Sequence, residues 1–219
     1  MFSRVNIVLQ LPATLAILAW VPGNAIKLLA FLLLWAMTFH RLARREALLG
    51  VAACLFFTVM NAASLRQGIF TFSDPDVLGM PVYELFMWGF YLLHAWRLLG
   101  GAAPQGRSTA AWVLAFLYSL AFAAVPTASV LLAVTSALLL IGLALFHEPH
   151  DLAYVGYLIL LGAAVEYTGV HSGQWHYPGN PPGGVPFWFV TLWGGVGLFM
   201  RRLIVPILAR YEKPAVRGN

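Results

Sequence analysis

The sequence predicts an all-α polytopic membrane protein of about eight transmembrane helices, arranged as two parallel repeats of four. Composition is the first reason: of 219 residues, 61% are hydrophobic and 10% are charged, with a mean hydropathy of +0.80. Soluble domains carry roughly 25% charged residues. A backbone in lipid must satisfy its own hydrogen bonds, which leaves helices or a closed barrel. The long, non-alternating apolar runs favour helices.

The predicted spans follow one another with short connections. They cover residues 5–21, 25–39, 47–63, 81–99, 110–125, 128–146, 151–170 and 186–208. Pro22-Gly23-Asn24 joins the first two in a tight helical hairpin. The first apolar run contains Pro12 and leads directly into more apolar sequence, so we interpret it as a span rather than a cleaved signal peptide.

An internal repeat is the second reason for this fold. Residues 61–88 and 166–193 share the pattern G-x-aromatic-x-aromatic, then G-x-P-x-aromatic-x4-W-G, and a shift of 105 residues superimposes them without a gap. The same shift carries spans one to four onto spans five to eight. We therefore divide one membrane domain into a first four-helix unit, 1–105, and a second, 106–219. An even number of spans gives both units the same orientation.

Charge placement predicts the topology. Of the 13 lysines and arginines, eleven fall on the side of the N-terminus and two, Lys27 and Arg66, on the other. Positive charge marks the cytoplasmic side, so both termini are predicted to be cytoplasmic and both motif links to lie on the outer face. We expect a bacterial inner membrane. Because the basic residues sit at helix ends, they are not a nucleic-acid footprint.

Two acidic residues are the candidate catalytic groups. Glu166 lies about one turn inside the outer end of span seven, where an ionisable group is costly and typical of a functional site. Glu84 lies in the first turn of span four. Their counterparts in the other unit are Asn61 and Phe189, so the fold does not require acids there. The alternatives are that Glu166 hydrogen-bonds the other unit and locks the interface, and that Glu84 complements a helix dipole.

Aromatic residues of the motif are the candidate pocket. An interfacial aromatic belt is the alternative for most of them, but rings that face inward stabilise a cation through their π faces. The predicted substrate-binding residues are Asn61, Tyr83, Trp88, Trp175, Tyr177, Trp188, Trp193, His171 and His176.

The histidines are weaker candidates. His171 and His176 flank Trp175 with the spacing H-x4-H, which suits a helix, but we expect both residues to lie beyond the helix end, so the motif is weak and we expect no metal. His94, alone within span four, is interpreted as a satisfied interior group. The polar run 147–151 is interpreted as a solvated loop, with Asp151 capping span seven.

Both motif copies resemble those of a known family. The first offers Gly68-Ile69-Phe70-Thr71-Phe72 and then Gly79-Met80-Pro81-Val82-Tyr83-Glu84, and the second offers Glu166-x2-Gly169-x3-Gly173-x-Trp175-x-Tyr177. These strings, about a quarter of the chain, resemble the membrane-embedded lycopene cyclases and their carotenoid-hydratase relatives. The chain departs from that pattern where paired glutamates follow the proline: it has Tyr83-Glu84 in one copy and Trp188-Phe189 in the other. It also has Asn61 at the family's acidic position in the first copy. The resemblance thus implies a cyclase, a hydratase, a relative with another isoprenoid substrate, or a member that has lost its chemistry.

The expected function is an enzyme that protonates an alkene of an isoprenoid or carotenoid-like lipid within the bilayer. Glu166 is the predicted acid and Glu84 the base or second acid, with no redox cofactor and no nucleic-acid partner; self-association or association with another membrane protein is left open. One alternative is a non-catalytic lipid-binding or scaffold protein, and another is a small transporter. An enzyme predicts an enclosed apolar cavity reached by both carboxylates. A scaffold predicts hydrogen-bonded carboxylates without a cavity, and a transporter predicts a polar path to both faces.

Overall fold

The chain folds as a bundle of helices, 76% helical by residue. The computed structural model describes residues 4–39, 41–104 and 106–210. Its helices are α1 (Arg4–Trp20), α2 (Asn24–Phe39), α3 (Arg44–Arg66), α4 (Glu84–Leu99), α5 (Ser108–Ala124), α6 (Ala128–Phe146), α7 (Pro149–His171), α8 (Trp188–Phe199) and α9 (Val205–Arg210). A π-helical turn, Met200–Ile204, joins α8 to α9 without a break. Pro206 follows this turn; because proline cannot donate to a carbonyl one turn earlier, the helix widens there.

Four helical segments are long and apolar enough to cross a membrane. They are Arg44–Arg66, Ala128–Phe146, Pro149–His171 and Pro182–Arg210. The segments Val5–Trp20, Asn24–Phe39 and Ser108–Ala124 are apolar but shorter. The prediction of a helical membrane protein is confirmed at this level, whereas eight spans and their orientation stay predictions.

Helix boundaries follow local sequence signals. Glu46 closes a capping box at the start of α3, and Asp151 does the same at the start of α7 with Glu148 as the N-cap. Gly68 and Gly173, with φ of 69° and 70°, turn the chain away from the ends of α3 and α7. The spans predicted to begin at prolines begin later, at Glu84 and Trp188, since each proline starts a turn that precedes the regular helix.

The core lies where α4, α7 and α8 meet. Helix α7 packs most extensively on α8, and α3 packs on α4, while α4 also contacts α7 and α1. This arrangement buries every residue along the middle of α4, from Met87 to Ala95. A second apolar cluster joins α5, α6 and α8.

The two motif links pair with each other, which the sequence analysis did not predict. Strand β1 (Thr71–Phe72) runs antiparallel to β2 (Trp175–His176), with Thr71 opposite His176 and Phe72 opposite Trp175. The Thr71 hydroxyl lies 2.8 Å from His176 Nε2, and these two residues are 105 positions apart. The rings of Phe72 and Trp175 are in contact as well, with centroids 5.8 Å apart. The link aromatics therefore face each other across this short ribbon.

Two ion pairs close the opposite end of the bundle. Arg97 binds Glu46 through Nε at 2.8 Å, and Arg202 binds Asp151 through Nε at 2.8 Å. Glu46 and Asp151 are 105 residues apart, and so are Arg97 and Arg202. The interpretation of residues 147–151 as a solvated loop is wrong for Asp151, which is 0% exposed because Arg202 and the start of α7 enclose it.

Candidate functional site

Glu166 is the hub of a buried hydrogen-bond network near the end of α7. Its Oε2 accepts from Trp175 Nε1 at 3.1 Å and from Tyr177 Oη at 2.8 Å, and its Oε1 accepts from Trp193 Nε1 at 3.2 Å. The side chain is 9% exposed. Burial, together with the Glu166 carboxylate, raises the pKa of Tyr177 well above its ordinary value, so this hydroxyl remains a donor.

Two glycines on α7 make room for the tryptophans. A Cβ added at Gly162 would overlap the ring of Trp193, and a Cβ at Gly169 would overlap the ring of Trp175. Gly162 lies four residues before Glu166 and Gly169 three after it, so all three share one helix face. The face of α7 is therefore shaped to bring two indole N–H groups onto one carboxylate.

Glu84 lies beside this network at the first residue of α4. Asn61 Nδ2 donates to Glu84 Oε1 at 3.1 Å, and Glu84 interacts electrostatically with Glu166. Glu84 and Asn61 both remain partly exposed. The two acids thus differ in their hydrogen bonds. Within the described residues, Glu166 accepts from three side chains and Glu84 accepts from one.

An aromatic stack continues the site into the core. Phe57 lies parallel to Trp88 with centroids 3.7 Å apart, and Trp88 stacks on Trp193 at 4.6 Å. Trp88 and Trp193 occupy equivalent positions of the two motif copies. Tyr91 meets both indoles edge-on, at 5.9 and 5.5 Å, and lies within electrostatic range of both glutamates. The sequence analysis missed Tyr91, although its spacing of seven from Glu84 places it on the same face of α4.

Two further predicted residues lie at the margins of this site. Trp188 contacts the ring of Tyr177 at 5.8 Å. The Tyr83 hydroxyl instead donates to Gln174 Oε1 at 3.3 Å, and Lys27 donates to the same oxygen. Lys27 also lies over the Tyr83 ring at 5.6 Å. Sequence analysis used Lys27 only as an outer charge, and its role in tying α2 to the second link was missed.

His171 and His176 lie apart from the carboxylates. Both are exposed; His171 Nδ1 binds the Tyr167 carbonyl at 2.8 Å, and His176 binds Thr71. Across residues 4–39, 41–104 and 106–210, no group of three His, Cys, Asp or Glu side chains is placed to hold a metal ion. The structure does not bring these histidines together with the other predicted site residues.

His94 is satisfied inside the bundle, as predicted. Its Nδ1 lies 2.7 Å from Gln10 Oε1 of α1, and its Nε2 is bonded to the Tyr157 hydroxyl of α7. Thr14, one turn from Gln10, has a buried hydroxyl without a hydrogen-bond partner in the described chain. Gln10, Thr14, His94 and Tyr157 thus form a polar cluster where α1, α4 and α7 meet.

Two surface cavities lie away from the carboxylates. One, of about 360 Å³, is at the end where α4 finishes, and the other, of about 160 Å³, is lined by Lys27, Asp74 and Gln174. Neither is lined by Glu166 or Glu84, so neither meets the expectation of an enclosed cavity that both acids reach. The three hydrogen bonds of Glu166 are those expected if the protein is a scaffold in which this carboxylate has only a structural role.

The arrangement nevertheless places two carboxyl groups beside aromatic faces. One of the two carboxylates is held by N–H and O–H groups from three directions, and the other is partly open. Such a pair is able to move a proton to and from an apolar molecule held against the indoles. Comparison with known protein families, with curated proteins and with solved structures gives no match for this chain.

Proposed function

We propose that this protein is an integral membrane enzyme that acts on an isoprenoid or carotenoid-like lipid by acid-initiated carbocation chemistry, either cyclisation or hydration. The observation that carries the proposal is the position of both acids at one indole stack: Glu166 accepts from Trp193 Nε1, Trp193 stacks on Trp88, and Glu84 lies one turn before Trp88 on α4. The proposed substrate is a membrane lipid, and the residues around the pair come from both halves of the chain.

The pairing of two acids favours chemistry over structure. Two carboxylates held near each other disfavour double ionisation, and burial adds a further penalty. A purely structural acceptor for Trp175, Tyr177 and Trp193 would have a lower free-energy cost of burial if it had no acidic neighbour. Ionisable groups kept at such a cost inside a membrane protein are typical of functional sites.

Hydrogen bonding supports the reverse of the roles assigned from sequence. Three donors to Glu166 stabilise an ionised carboxylate. Glu84, beside that charge and bonded by Asn61, is the better holder of the shared proton. We therefore assign Glu84 as the acid and Glu166 as the counter-charge and base.

The proposed step is balanced within the pair. The π electrons of an alkene form a C–H bond with the Glu84 proton while the O–H bond breaks, which leaves the Glu84 carboxylate and a tertiary carbocation. The faces of Trp88, Trp193 and Tyr91 stabilise the cation. Attack by a second alkene closes a ring, and Glu166 takes the proton that leaves; in a hydration, water adds and Glu166 takes its proton.

The proposed architecture is two parallel four-helix units, eight spans, and both termini cytoplasmic. Three structural facts support the repeat. Thr71 and His176 face each other at a separation of 105 residues, Trp88 stacks on Trp193 at the same separation, and the ion pairs at the other end shift by 105. A two-fold axis that passes through the β-ribbon and the indole stack accounts for all three.

A non-catalytic lipid-binding or scaffold role is the second candidate. The observation that favours it is the full hydrogen bonding of Glu166, together with cavities that lie elsewhere. In that role the carboxylates would only lock the two halves together.

Conversion of a supplied polyene tests the proposal. Membranes that contain the wild type, Glu84→Gln, Glu166→Gln or Glu148→Gln are incubated with linear isoprenoids in D₂O, and extracted lipids are analysed by mass spectrometry. Glu148 is the control, a carboxylate at the other end of α7 that pairs with Arg201 and Arg202, and circular dichroism checks that this variant is folded. We expect deuterium on carbon in the wild-type product and a loss of about 10²–10⁴-fold in Glu84→Gln, the usual contribution of a general acid.

The outcome separates the two candidates. Glu148→Gln is expected to keep the wild-type rate. If Glu84→Gln and Glu166→Gln both form product at the wild-type rate, the acid mechanism is wrong. If the wild type converts no isoprenoid yet binds one tightly, the lipid-binding role replaces the enzyme.

A further inference from the structure

A second candidate site lies between the start of α2 and the two motif links. It is the smaller of the two cavities, of about 160 Å³, and we call it the link pocket. Three separate segments of the chain line it: Gly23, Asn24 and Lys27; Ser73, Asp74 and Pro81; and Gly173 and Gln174. This volume is below the roughly 300–1,000 Å³ of sites that enclose a whole ligand. The link pocket therefore fits one polar part of a larger molecule.

The link pocket contains one charge of each sign. Lys27 is 5% exposed, donates to Gln174 Oε1 and interacts electrostatically with Asp74. Asn24 Nδ2 donates to the Asp74 carbonyl at 2.8 Å and to Asp74 Oδ2 at 3.3 Å, which orients the carboxylate. Because the two charges balance, the pocket is not selective for a ligand with a net charge. It is complementary to a dipolar ligand that carries both an anion and a cation.

Both charged groups keep hydrogen-bonding capacity for such a ligand. A lysine ammonium has three N–H donors, and within the described residues only Gln174 accepts from Lys27. The Tyr83 hydroxyl donates to the same Gln174 oxygen, at 3.3 Å. Asp74 is exposed, and its Oδ1 has no donor in the part of the chain that the structure describes. Lys27 is thus able to donate to an anionic oxygen while Asp74 accepts from a cationic N–H.

Exposed apolar side chains flank the link pocket. Trp20, three residues before Gly23, is 81% exposed, and Leu78, between Asp74 and Pro81 in the first link, is 55% exposed. A tryptophan at the end of an apolar helix is typical of the boundary between lipid and water. A ligand at such a boundary has its polar part in the pocket and its apolar part in the bilayer. The headgroup of a lipid meets this description.

We propose that the link pocket binds the headgroup of a zwitterionic phospholipid with a primary ammonium, phosphatidylethanolamine. Lys27 donates to a phosphate oxygen, and Asp74 accepts from the ammonium. A choline headgroup offers Asp74 three methyl groups and no N–H donor, and a glycerol headgroup offers no cation. The site is separate from Glu84 and Glu166, and it does not depend on whether the protein is an enzyme.

Lipid titration followed by native mass spectrometry tests the proposal. The delipidated full-length protein is titrated with phosphatidylethanolamine, phosphatidylcholine or phosphatidylglycerol of the same acyl chains, and the dissociation constants of the first bound lipid are compared. Asp74→Asn removes the charge and keeps an oxygen that accepts from Asn24. Asp76→Asn is the matched control: it removes the same charge two residues away, outside the pocket, and keeps an acceptor for the Val82 N–H. Circular dichroism checks that each variant is folded.

We expect the wild type to bind phosphatidylethanolamine about tenfold more tightly than either other lipid. Tenfold corresponds to about 1.4 kcal/mol, near the lower end of what a hydrogen bond to a charged group contributes. Asp74→Asn should abolish this preference, and Asp76→Asn should change it less than twofold. Lys27→Gln, which removes the donor to the phosphate, should weaken phosphatidylethanolamine by about tenfold as well.

The comparison of three lipids on the wild type needs no variant, so it decides the matter even if a substitution prevents folding. Equal binding of the three lipids would overturn the assignment, and so would equal losses in Asp74→Asn and Asp76→Asn. Displacement of phosphatidylethanolamine by millimolar phosphoethanolamine would make the site one for a free zwitterion and overturn the lipid.

Discussion

The carboxylate network predicts different stabilities for two chemically identical substitutions. Replacing Glu166 by Gln exchanges one acceptor oxygen for an amide donor. The best orientation keeps the amide oxygen on Trp175 and Tyr177, which share Oε2, and turns the NH₂ towards Trp193 Nε1. One hydrogen bond to a charged group is then lost, which corresponds to roughly 1.5–3 kcal/mol. We expect Glu166→Gln to lower the free energy of unfolding by about 2 kcal/mol.

Glu84→Gln should behave differently because its hydrogen bond survives. Asn61 Nδ2 donates to Glu84 Oε1, and a glutamine carbonyl accepts from the same group. The change also removes an acid that interacts unfavourably with Glu166. We expect the free energy of unfolding to change by less than about 1 kcal/mol, the net value of one neutral hydrogen bond.

Reversible unfolding in sodium dodecyl sulfate, followed by tryptophan fluorescence, measures both effects. The protein is held in mixed micelles, and the free energies of the two variants and the double variant are compared with the wild type. A smaller cost for the double variant than the sum of the single ones would show the coupling of the two acids. If Glu84→Gln costs as much as Glu166→Gln, the hydrogen-bond reasoning is refuted.

Two further predictions use the same unfolding measurement. Asp151→Asn should cost about 1.5–3 kcal/mol, because Arg202 loses its fully buried partner and keeps only the more exposed Glu148, and Glu46→Gln should cost less, since that ion pair is 11% exposed on both sides. Equal losses would contradict the burial argument. Gly162→Ala should cost about 1–3 kcal/mol by forcing the Trp193 ring to move. Gly156→Ala on the same helix, with no atom within 4 Å of the added carbon, should instead stabilise by up to about 1 kcal/mol; a loss there would show that helix packing, not overlap, decides the sign.

Composition and apolar run length were sufficient to predict the helices, because these signals are local. The depth of Glu166 in α7 and the position of Glu84 in the first turn of α4 follow from the same pattern, and the structure agrees with both. Trp175 and Tyr177 were candidates because they are aromatic residues of the repeated motif, and the structure places both within hydrogen-bond distance of Glu166.

Contacts between segments that are distant in the sequence could not be predicted from local sequence patterns. The β-ribbon joins residues that are 105 positions apart. The sequence of neither link indicates which other segment its backbone will pair with. Asp151 was expected in solvent because its immediate neighbours are polar, whereas its partner Arg202 comes from 51 residues further along. The residue type of His171 does not determine whether its side chain points into the bundle or, as observed, is exposed.

The proposed roles of the two acids depend on a sequence difference between the two motif copies. Position 61 is Asn and its equivalent, 166, is Glu, while position 84 is Glu and its equivalent, 189, is Phe. Each half thus contributes one acid, but from a different helix of its α-helical pair. Two symmetric carboxylates would share one environment and neither would be a distinct donor, whereas acid–base chemistry needs environments that push the two apart. Asn61 on one acid and three N–H and O–H donors on the other provide that difference. In the proposed mechanism, Asn61→Glu would therefore remove the distinction between acid and base rather than add a catalytic group.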